Sequence, residues 1–190
     1  MKNTLEHTSF SALADRAGAL YNDEDDALLL AMLGQEYVIR HTGITLRGQK
    51  APDAHELIVL EYLFSMGTSC VETPWRSLGD IAGQPVPEFR KRVELPIAQH
   101  VAEFIPRAGT LLPHFDGVAS PSVIGSDMAM TVLALPKVHF RVELSQEDQE
   151  FPPEAWVLFS NNADSFLSVP TLQSLGELFK DRLLSLLRIY

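Results

Sequence analysis

The spacing of hydrophobic residues changes from helical to strand-like within the first fifty positions. Residues 10–19 have helical spacing and predict a first, peripheral helix within residues 1–20. The acidic residues 23–26 precede a second apolar run, and negative charge is favourable at a helix N-terminus. We therefore predict that residues 27–33 form a second helix, which ends at Gly34.

The next segment alternates between apolar and polar positions, as a half-buried strand does. The apolar positions lie on both sides of residues 41–43, where a glycine is available for a bend: Tyr37, Ile39, Ile44 and Leu46. This pattern predicts a β-hairpin over residues 36–47.

Two long helical segments follow the predicted hairpin. Residues 52–66 begin with a proline suited to a first helical turn and leave almost no polar face, so this helix should be buried centrally. The second helix carries one apolar stripe at spacings of three and four: Val86, Phe89, Val93, Ile97, Val101 and Phe104. Pro96 interrupts this stripe and predicts a kink or a division into two helices.

The last third of the chain is extended first and helical at its end. The apolar pattern predicts three strands, at residues 128–135, 137–144 and 155–160. The connection between the last two is acidic and ends in two prolines. Ser168 should cap a final amphipathic helix whose stripe is Leu172, Leu175, Phe179, Leu183 and Leu186. We expect a single α+β domain over residues 1–190, with a largely antiparallel sheet covered by helices.

The net charge and the lengths of the apolar runs argue against nucleic acid and membranes as partners. Fifteen Lys and Arg against 25 Asp and Glu give a net charge of −10, which repels nucleic acid and anionic membranes. No segment approaches the roughly 20 apolar residues of a membrane span, and the N-terminus lacks the apolar core of a signal peptide. We expect a soluble cytoplasmic protein, and the sequence leaves open whether it forms a homo-oligomer.

Cysteine and histidine usage argues against a metal or cofactor held by this chain. Cys70 is the single cysteine, so an iron–sulfur cluster with cysteine ligands would belong to a partner. The six histidines show no paired metal-ligand spacing on one helix. His114 and Asp116 come nearest to it and could share a cation with Asp127, but scattered histidines are usually surface or core residues. We expect no metal and no cofactor.

A few residues remain as candidates for binding. Trp75 and Arg76 combine an aromatic side chain with a fixed cation, as partner and anion sites do, or else Trp75 fills the core and Arg76 forms a surface ion pair. Glu150 lies beside Phe151, and an apolar neighbour can raise a carboxyl pKa toward acid/base use. The same acidic turn is equally explained as a charged connection between two apolar strands.

Several short motifs, taken together in order and spacing, resemble a prokaryotic family defined by a domain of unknown function and common in anaerobes. The resemblance covers about residues 21–187. The matching positions are Leu60 to Phe64, Trp75-Arg76-Ser77-Leu78, Gly83, Phe89, Gly125-Ser126-Asp127, Leu135-Pro136, Glu150-Phe151-Pro152, Leu158-Phe159 and Leu167. Some relatives are joined to an iron–sulfur domain. The resemblance therefore implies a setting near anaerobic redox or one-carbon metabolism, with an iron–sulfur protein as partner.

Two functions of different classes fit these observations. The first is a non-catalytic binding or accessory module with a partner face built by Trp75, Arg76 and the Glu150 turn. The second is a small enzyme, with or without a metal, whose cleft contains Asp127, Glu150 and either His114 or His139. The first is favoured because the sequence holds no concentrated set of catalytic residue types.

Overall fold

The strands of the computed structural model, which describes Leu5 and residues 8–189, form two antiparallel sheets. Within each sheet every strand pairs with a strand adjacent to it in the sequence. Sheet A contains β1 (Leu20–Asn22), β2 (Ala27–Met32), β3 (Gln35–Arg40), β4 (Gly43–Leu46) and β5 (Gln49–Lys50). Sheet B contains β6 (Val118–Ala119), β7 (Met128–Leu135), β8 (Val138–Ser145) and β9 (Glu154–Phe159). The predicted α+β class and the predicted strands of residues 128–160 are confirmed.

Helices make up most of the remaining described chain. The α-helices are α1 (Phe10–Ala17), α2 (Asp53–Leu63), α3 (Leu78–Ala82), α4 (Pro87–Phe89), α5 (Leu95–Ala98), α6 (Val101–Phe104), α7 (Ala108–Leu111) and α8 (Val169–Leu187). A π-helix spans Arg90–Glu94, and short 3-10 turns span Ile105–Arg107, Leu112–Phe115 and Ala163–Ser165. None of the helices in the described ranges has the length and apolar content needed to cross a membrane.

The second predicted helix is wrong, because residues 27–32 form strand β2. Its side chains alternate, with Leu28, Leu30 and Met32 fully buried, and it pairs with β3 through a two-residue turn. Leu33 and Gly34 in that turn both have positive φ, at 53° and 67°, which suits a tight hairpin. The high helix propensity of alanine and leucine is overridden here by strand pairing on both sides.

The acidic residues 23–26 connect β1 to β2 instead of opening a helix. The side-chain oxygen of Asn22 accepts hydrogen bonds from the main-chain N–H groups of Glu24 and Asp25, at 3.0 and 3.3 Å. Asp26 then takes a positive φ of 44°. Asparagine and aspartate favour such turns because their short side chains bond nearby main chain.

The helical run around Pro96 is interrupted, as its sequence predicts. Pro96 has no N–H group to donate to the carbonyl four residues earlier. The preceding Arg90–Glu94 segment widens into a π-helix, in which the Leu95 N–H bonds the Arg90 carbonyl five residues back. The run resumes as α5 and α6 and keeps Val93, Ile97 and Val101 buried.

The core lies between the two sheets and α8. A chain of ring contacts crosses it, with centroids 5.0 to 5.6 Å apart: Phe89 to Phe159, Phe159 to Phe140, Phe140 to Phe179 and Phe179 to Phe115. The predicted stripe of α8 is confirmed, since all five of its residues are buried. The apolar faces of both sheets and of the final helix therefore meet in one cluster.

A carboxylate from another helix replaces the predicted cap of α8. Ser168 is at the N-cap position, but its hydroxyl caps no main-chain N–H of α8. Glu61 of α2 accepts hydrogen bonds from the Ser168 N–H and the Thr171 hydroxyl instead. Burial opposes the charge on Glu61, but these hydrogen bonds outweigh it and lower the pKa of its carboxyl. Glu61 thus joins two helices that are more than 100 residues apart in sequence.

Replacing Glu61 with glutamine should lower the free energy of unfolding by about 1 kcal/mol near neutral pH, a helix-cap magnitude reduced by partial solvent exposure. A carboxyl whose pKa is lower in the folded state stabilises the fold fully above the ordinary glutamate pKa of about 4.3. That contribution is lost as the pH falls below this value and through the lower pKa of the folded state. Urea unfolding at two pH values should show a wild-type advantage near neutrality that shrinks in acid. As a control, Glu36→Gln at an exposed position should leave the free energy of unfolding unchanged at both pH values.

The outer face of sheet B contains a buried ion pair. Arg141 and Glu143 are on the same side of β8, and the Arg141 Nε donates to the Glu143 Oε1 at 2.8 Å. Glu143 is 0% exposed and also accepts hydrogen bonds from the Ser122 and Ser126 hydroxyls and the Val123 N–H. Burial alone would raise the pKa of Glu143, but these donors outweigh it and lower the pKa. The pair fastens the loop after β6 onto the sheet.

Candidate functional site

The five residues singled out from the sequence fall at opposite ends of sheet B. Trp75 and Arg76 lie where β9 ends, since Arg76 and Phe159 exchange main-chain hydrogen bonds of 3.0 and 2.8 Å. Asp127, Glu150 and Phe151 lie where β9 begins, beside the β8–β9 connection. The six residues of β9 span roughly 20 Å between the two groups. The five residues do not line one groove, and a binding role for either group remains a prediction.

Each group has its own local contacts. Asp127 accepts a hydrogen bond of 2.8 Å from the Gln146 N–H, and the N–H groups of Glu150 and Phe151 both donate to Asp148 Oδ1 at 2.8 Å. Phe151 is 64% exposed. These contacts build a solvent-facing turn, with the aromatic ring of Phe151 at its surface.

Arg76 is used to join two segments of the chain. Its Nη1 donates to the Asn161 carbonyl and to Asp164 Oδ2, both at 3.2 Å, and its Nη2 donates to the Asp80 carbonyl at 2.8 Å. The next residue, Ser77, begins α3 with a reciprocal capping box to Asp80. The guanidinium therefore holds the start of α3 against the segment that follows β9.

Cys70, Glu72 and His139 are brought together at the same end of sheet B. The His139 Nδ1 and the Glu72 Oε1 are 2.8 Å apart, an arrangement in which a carboxylate orients an imidazole. The Cys70 thiol lies against the Ser160 hydroxyl and the His139 N–H, and burial raises the pKa of the thiol. A raised pKa keeps the sulfur protonated near neutral pH and therefore weakly nucleophilic.

The enzyme hypothesis required His114 or His139 beside Asp127 and Glu150. His139 pairs with Glu72 at the far end of the sheet from those two carboxylates. The described residues contain no group of three or more histidine, cysteine, aspartate or glutamate side chains placed to hold a metal ion. His7 lies outside the described residues.

A cavity of about 670 Å3 lies between the β3–β4 hairpin and α2. It is within the size range of small-molecule sites, which runs from about 300 to 1,000 Å3. Apolar side chains form much of its wall: Leu5, Ile44, Leu57 and Leu60. The lining also includes polar and charged side chains: Arg40, His41, Thr42, Thr45, Lys50, Asp53 and Glu56. An apolar interior with a few polar groups at its edge is the usual composition of a ligand site.

The polar edge of the cavity is held in place by its own contacts. The His41 ring stacks flat on Phe10, with centroids 4.3 Å apart, and its two nitrogens face the Leu5 carbonyl at 2.6 Å and Asp26 Oδ2 at 3.1 Å. Lys50 Nζ is 2.9 Å from Asp53 Oδ1, and the hydrogen bond with Asp53 raises the pKa of the lysine. These polar and charged side chains, here called the rim, thus carry charges of both signs beside the apolar side chains of the lining.

Helix α2 contains a signal for this cavity that the sequence interpretation missed. A helix without a polar face was expected to be buried on every side. Instead Ile58, Val59, Tyr62 and Leu63 face the core, while Leu57 is 42% exposed and Leu60 is half-buried. Leu57 and Leu60 line the cavity. Apolar residues all round a helix here indicate two separate apolar contacts, one with the core and one with the cavity.

Comparison with known families covers nearly the whole chain. The model of a domain of unknown function, DUF3786, matches residues 9–182. The chain belongs to the DUF3786 family. No curated protein and no solved structure matches it.

The DUF3786 match extends further toward the N-terminus than the resemblance seen in the sequence, which began near residue 21. It includes α1, which carries the Phe10 ring under His41. Among the described residues that line the cavity, all except Leu5 lie inside the matched range. The described part of the cavity lining therefore belongs almost wholly to the DUF3786 domain.

Proposed function

We propose that this DUF3786 protein is a non-catalytic ligand-binding module, and that the cavity between the β3–β4 hairpin and α2 holds a small, mostly apolar molecule. The observation that carries the proposal is the second apolar face of α2. Leu57 and Leu60 place apolar surface in a cavity of ligand size, where water is an unfavourable neighbour.

The rim supports a ligand that also has a polar end. Arg40 Nη2 is 3.8 Å from Asp25 Oδ2, at the outer limit of an ion pair, and both groups are largely exposed. Such a weak surface pair leaves the guanidinium able to contact a ligand. His41 has a fixed orientation, so the polar part of the cavity is already in place before a ligand binds. Little conformational entropy is therefore lost on binding.

Replacing Leu57 with glutamine should weaken the binding of a neutral apolar probe. Removing the leucine side chain from the ligand contact is expected to cost about 1 to 1.5 kcal/mol, which is about five- to tenfold in affinity. The measurement is a fluorescence titration with N-phenyl-1-naphthylamine, which becomes bright in apolar surroundings.

Leu95→Gln is the matched control for this test. Leu95 is 43% exposed against 42% for Leu57, and it also lies in a helix, but it is away from the cavity. The control should bind the probe as the wild type does. Equal affinity in all three proteins would reject the cavity as the binding site, and equal loss in both variants would show only general surface binding.

The biological setting is a further part of the proposal, and the family resemblance supports it. We propose that the protein acts as an accessory to an iron–sulfur protein in anaerobic redox or one-carbon metabolism. The single cysteine of this chain cannot supply the ligands of a cluster, so the partner would hold it. Iron and sulfide analysis of protein purified without oxygen tests this division, because stoichiometric iron on the isolated chain contradicts it.

A further inference from the structure

Two arginines that are far apart in the sequence meet over one amide side chain. Arg47 lies in the turn between β4 and β5, and Arg182 lies on α8. The Gln35 side-chain oxygen accepts from Arg47 Nη2 at 3.0 Å and from Arg182 Nη1 at 3.1 Å. A single neutral oxygen therefore lies between two positive charges.

No carboxylate in the described part of the chain pairs with either arginine. The ion pairs there use other arginines: Arg40, Arg76, Arg90, Arg92 and Arg141. Two unneutralised guanidinium groups side by side repel each other.

The contacts of Arg182 leave one of its N–H donors without an acceptor. Its Nη2 donates to the His114 carbonyl at 3.0 Å and its guanidinium carbon lies 5.3 Å from the centroid of the Phe115 ring, but its Nε is buried without a hydrogen-bond partner. Burial and the charge of Arg47 lower the pKa of Arg182. A buried donor without an acceptor destabilises the site until an acceptor is bound.

Tyr37 lies near the two arginines but does not supply a negative charge that would neutralise them. Tyr37 is buried beside the two arginines, and its hydroxyl and the His55 Nδ1 are 2.8 Å apart. Burial raises the pKa of Tyr37 to about 12, although both arginines act to lower it. The tyrosine therefore stays neutral near physiological pH, and the cluster keeps its positive charge.

We propose that Arg47 and Arg182 bind a phosphate-type oxyanion, with the Gln35 amide as a third contact. Guanidinium groups present paired N–H donors that match the oxygen spacing of phosphate. The amide of Gln35 has an oxygen on one side and an NH2 group on the other, so a half-turn lets it donate to the bound anion. The site is separate from the proposed ligand cavity, whose lining includes none of these three residues.

Thermal unfolding in inorganic phosphate, compared with chloride at equal ionic strength, tests this site. Phosphate bound to the folded state should raise the melting temperature of the wild type in a saturable way. Arg47→Gln should weaken the phosphate effect at least tenfold and should still fold, because Arg47 is an exposed turn residue. Arg47→Lys should recover only part of it, since lysine keeps the charge but lacks the paired donors.

Two further proteins complete the test. Arg92→Gln removes a positive charge whose side chain is 58% exposed and should respond to phosphate as the wild type does. Leu57→Gln should also respond normally, which separates this site from the cavity. An equal response of wild type and Arg47→Gln, or no response of the wild type beyond that in chloride, overturns the proposal. Glycerol phosphate in place of inorganic phosphate then shows whether the site takes a free anion or a phosphate ester.

Discussion

Glu143→Met is expected to lower the free energy of unfolding by about 3 to 5 kcal/mol, the usual cost of removing one partner of a buried ion pair. The substitution leaves the Arg141 guanidinium under the loop at residues 120–126 without its carboxylate. Arg141 is 3% exposed, so water cannot replace the lost partner. Urea unfolding followed by circular dichroism measures the change.

The double variant Arg141→Met and Glu143→Met identifies the cause of this loss. With both charges removed, no buried charge is left unpaired, and at least about half of the lost stability should return. Glu150→Gln, at an exposed position, should unfold as the wild type does. A double variant no more stable than the Glu143 single variant would contradict this explanation, because the loss would then come from the hydrogen bonds to the loop and not from an unpaired charge.

Gly34→Ala is expected to destabilise the protein by about 3 kcal/mol or more, since it adds a main-chain clash to an unfavourable backbone conformation. A Cβ at position 34 would lie 2.0 Å from the His114 carbonyl oxygen and 3.0 Å from the Phe115 Cα. Both atoms belong to the main chain, so no side-chain rotation relieves the contact. The φ of Gly34 is also positive, at 67°.

Gly48→Ala separates the two contributions. Gly48 has a φ of 77°, and no atom lies within 4 Å of the position of an added Cβ. This variant should lose only about 1 kcal/mol, for the left-handed backbone alone. The difference in melting temperature between the two alanine variants measures the close contact of the β2–β3 turn with residues 114–115. Equal melting temperatures would show that this turn moves freely away from its neighbour.

Several of the elements that were predicted correctly from the sequence have one clear period. The stripe of α8 is buried along one face, the residues of β8 alternate between apolar and polar in the sequence, and burial alternates along β9. Strand β2 was missed because Ala27-Leu28-Leu29-Leu30-Ala31-Met32 is apolar at every position, and such a run does not distinguish a helix from a strand. The glycine after this run was interpreted as a helix end, whereas it forms half of a hairpin turn.

The candidate sites were harder to predict from the sequence, because each depends on contacts between segments that are far apart in the chain. The hairpin and the helix that enclose the cavity were both predicted, but their packing against each other was not. Arg47 and Arg182 are separated by 135 positions and belong to no local motif. Cys70, Glu72 and His139 meet only because residues 69–76 lie along the end of sheet B.

The pairing of consecutive strands has a consequence for the order in which the protein folds. Each hairpin closes a short loop, so both sheets can form at a small entropic cost and early in time. Other contacts join distant parts of the chain, and two of them connect α8 to earlier segments: Glu61 with the start of α8, and Arg182 with Gln35. These contacts form once the last helix docks. We therefore expect the docking of α8 to be a late step in folding, which completes the pair of arginines only when the rest of the fold is in place.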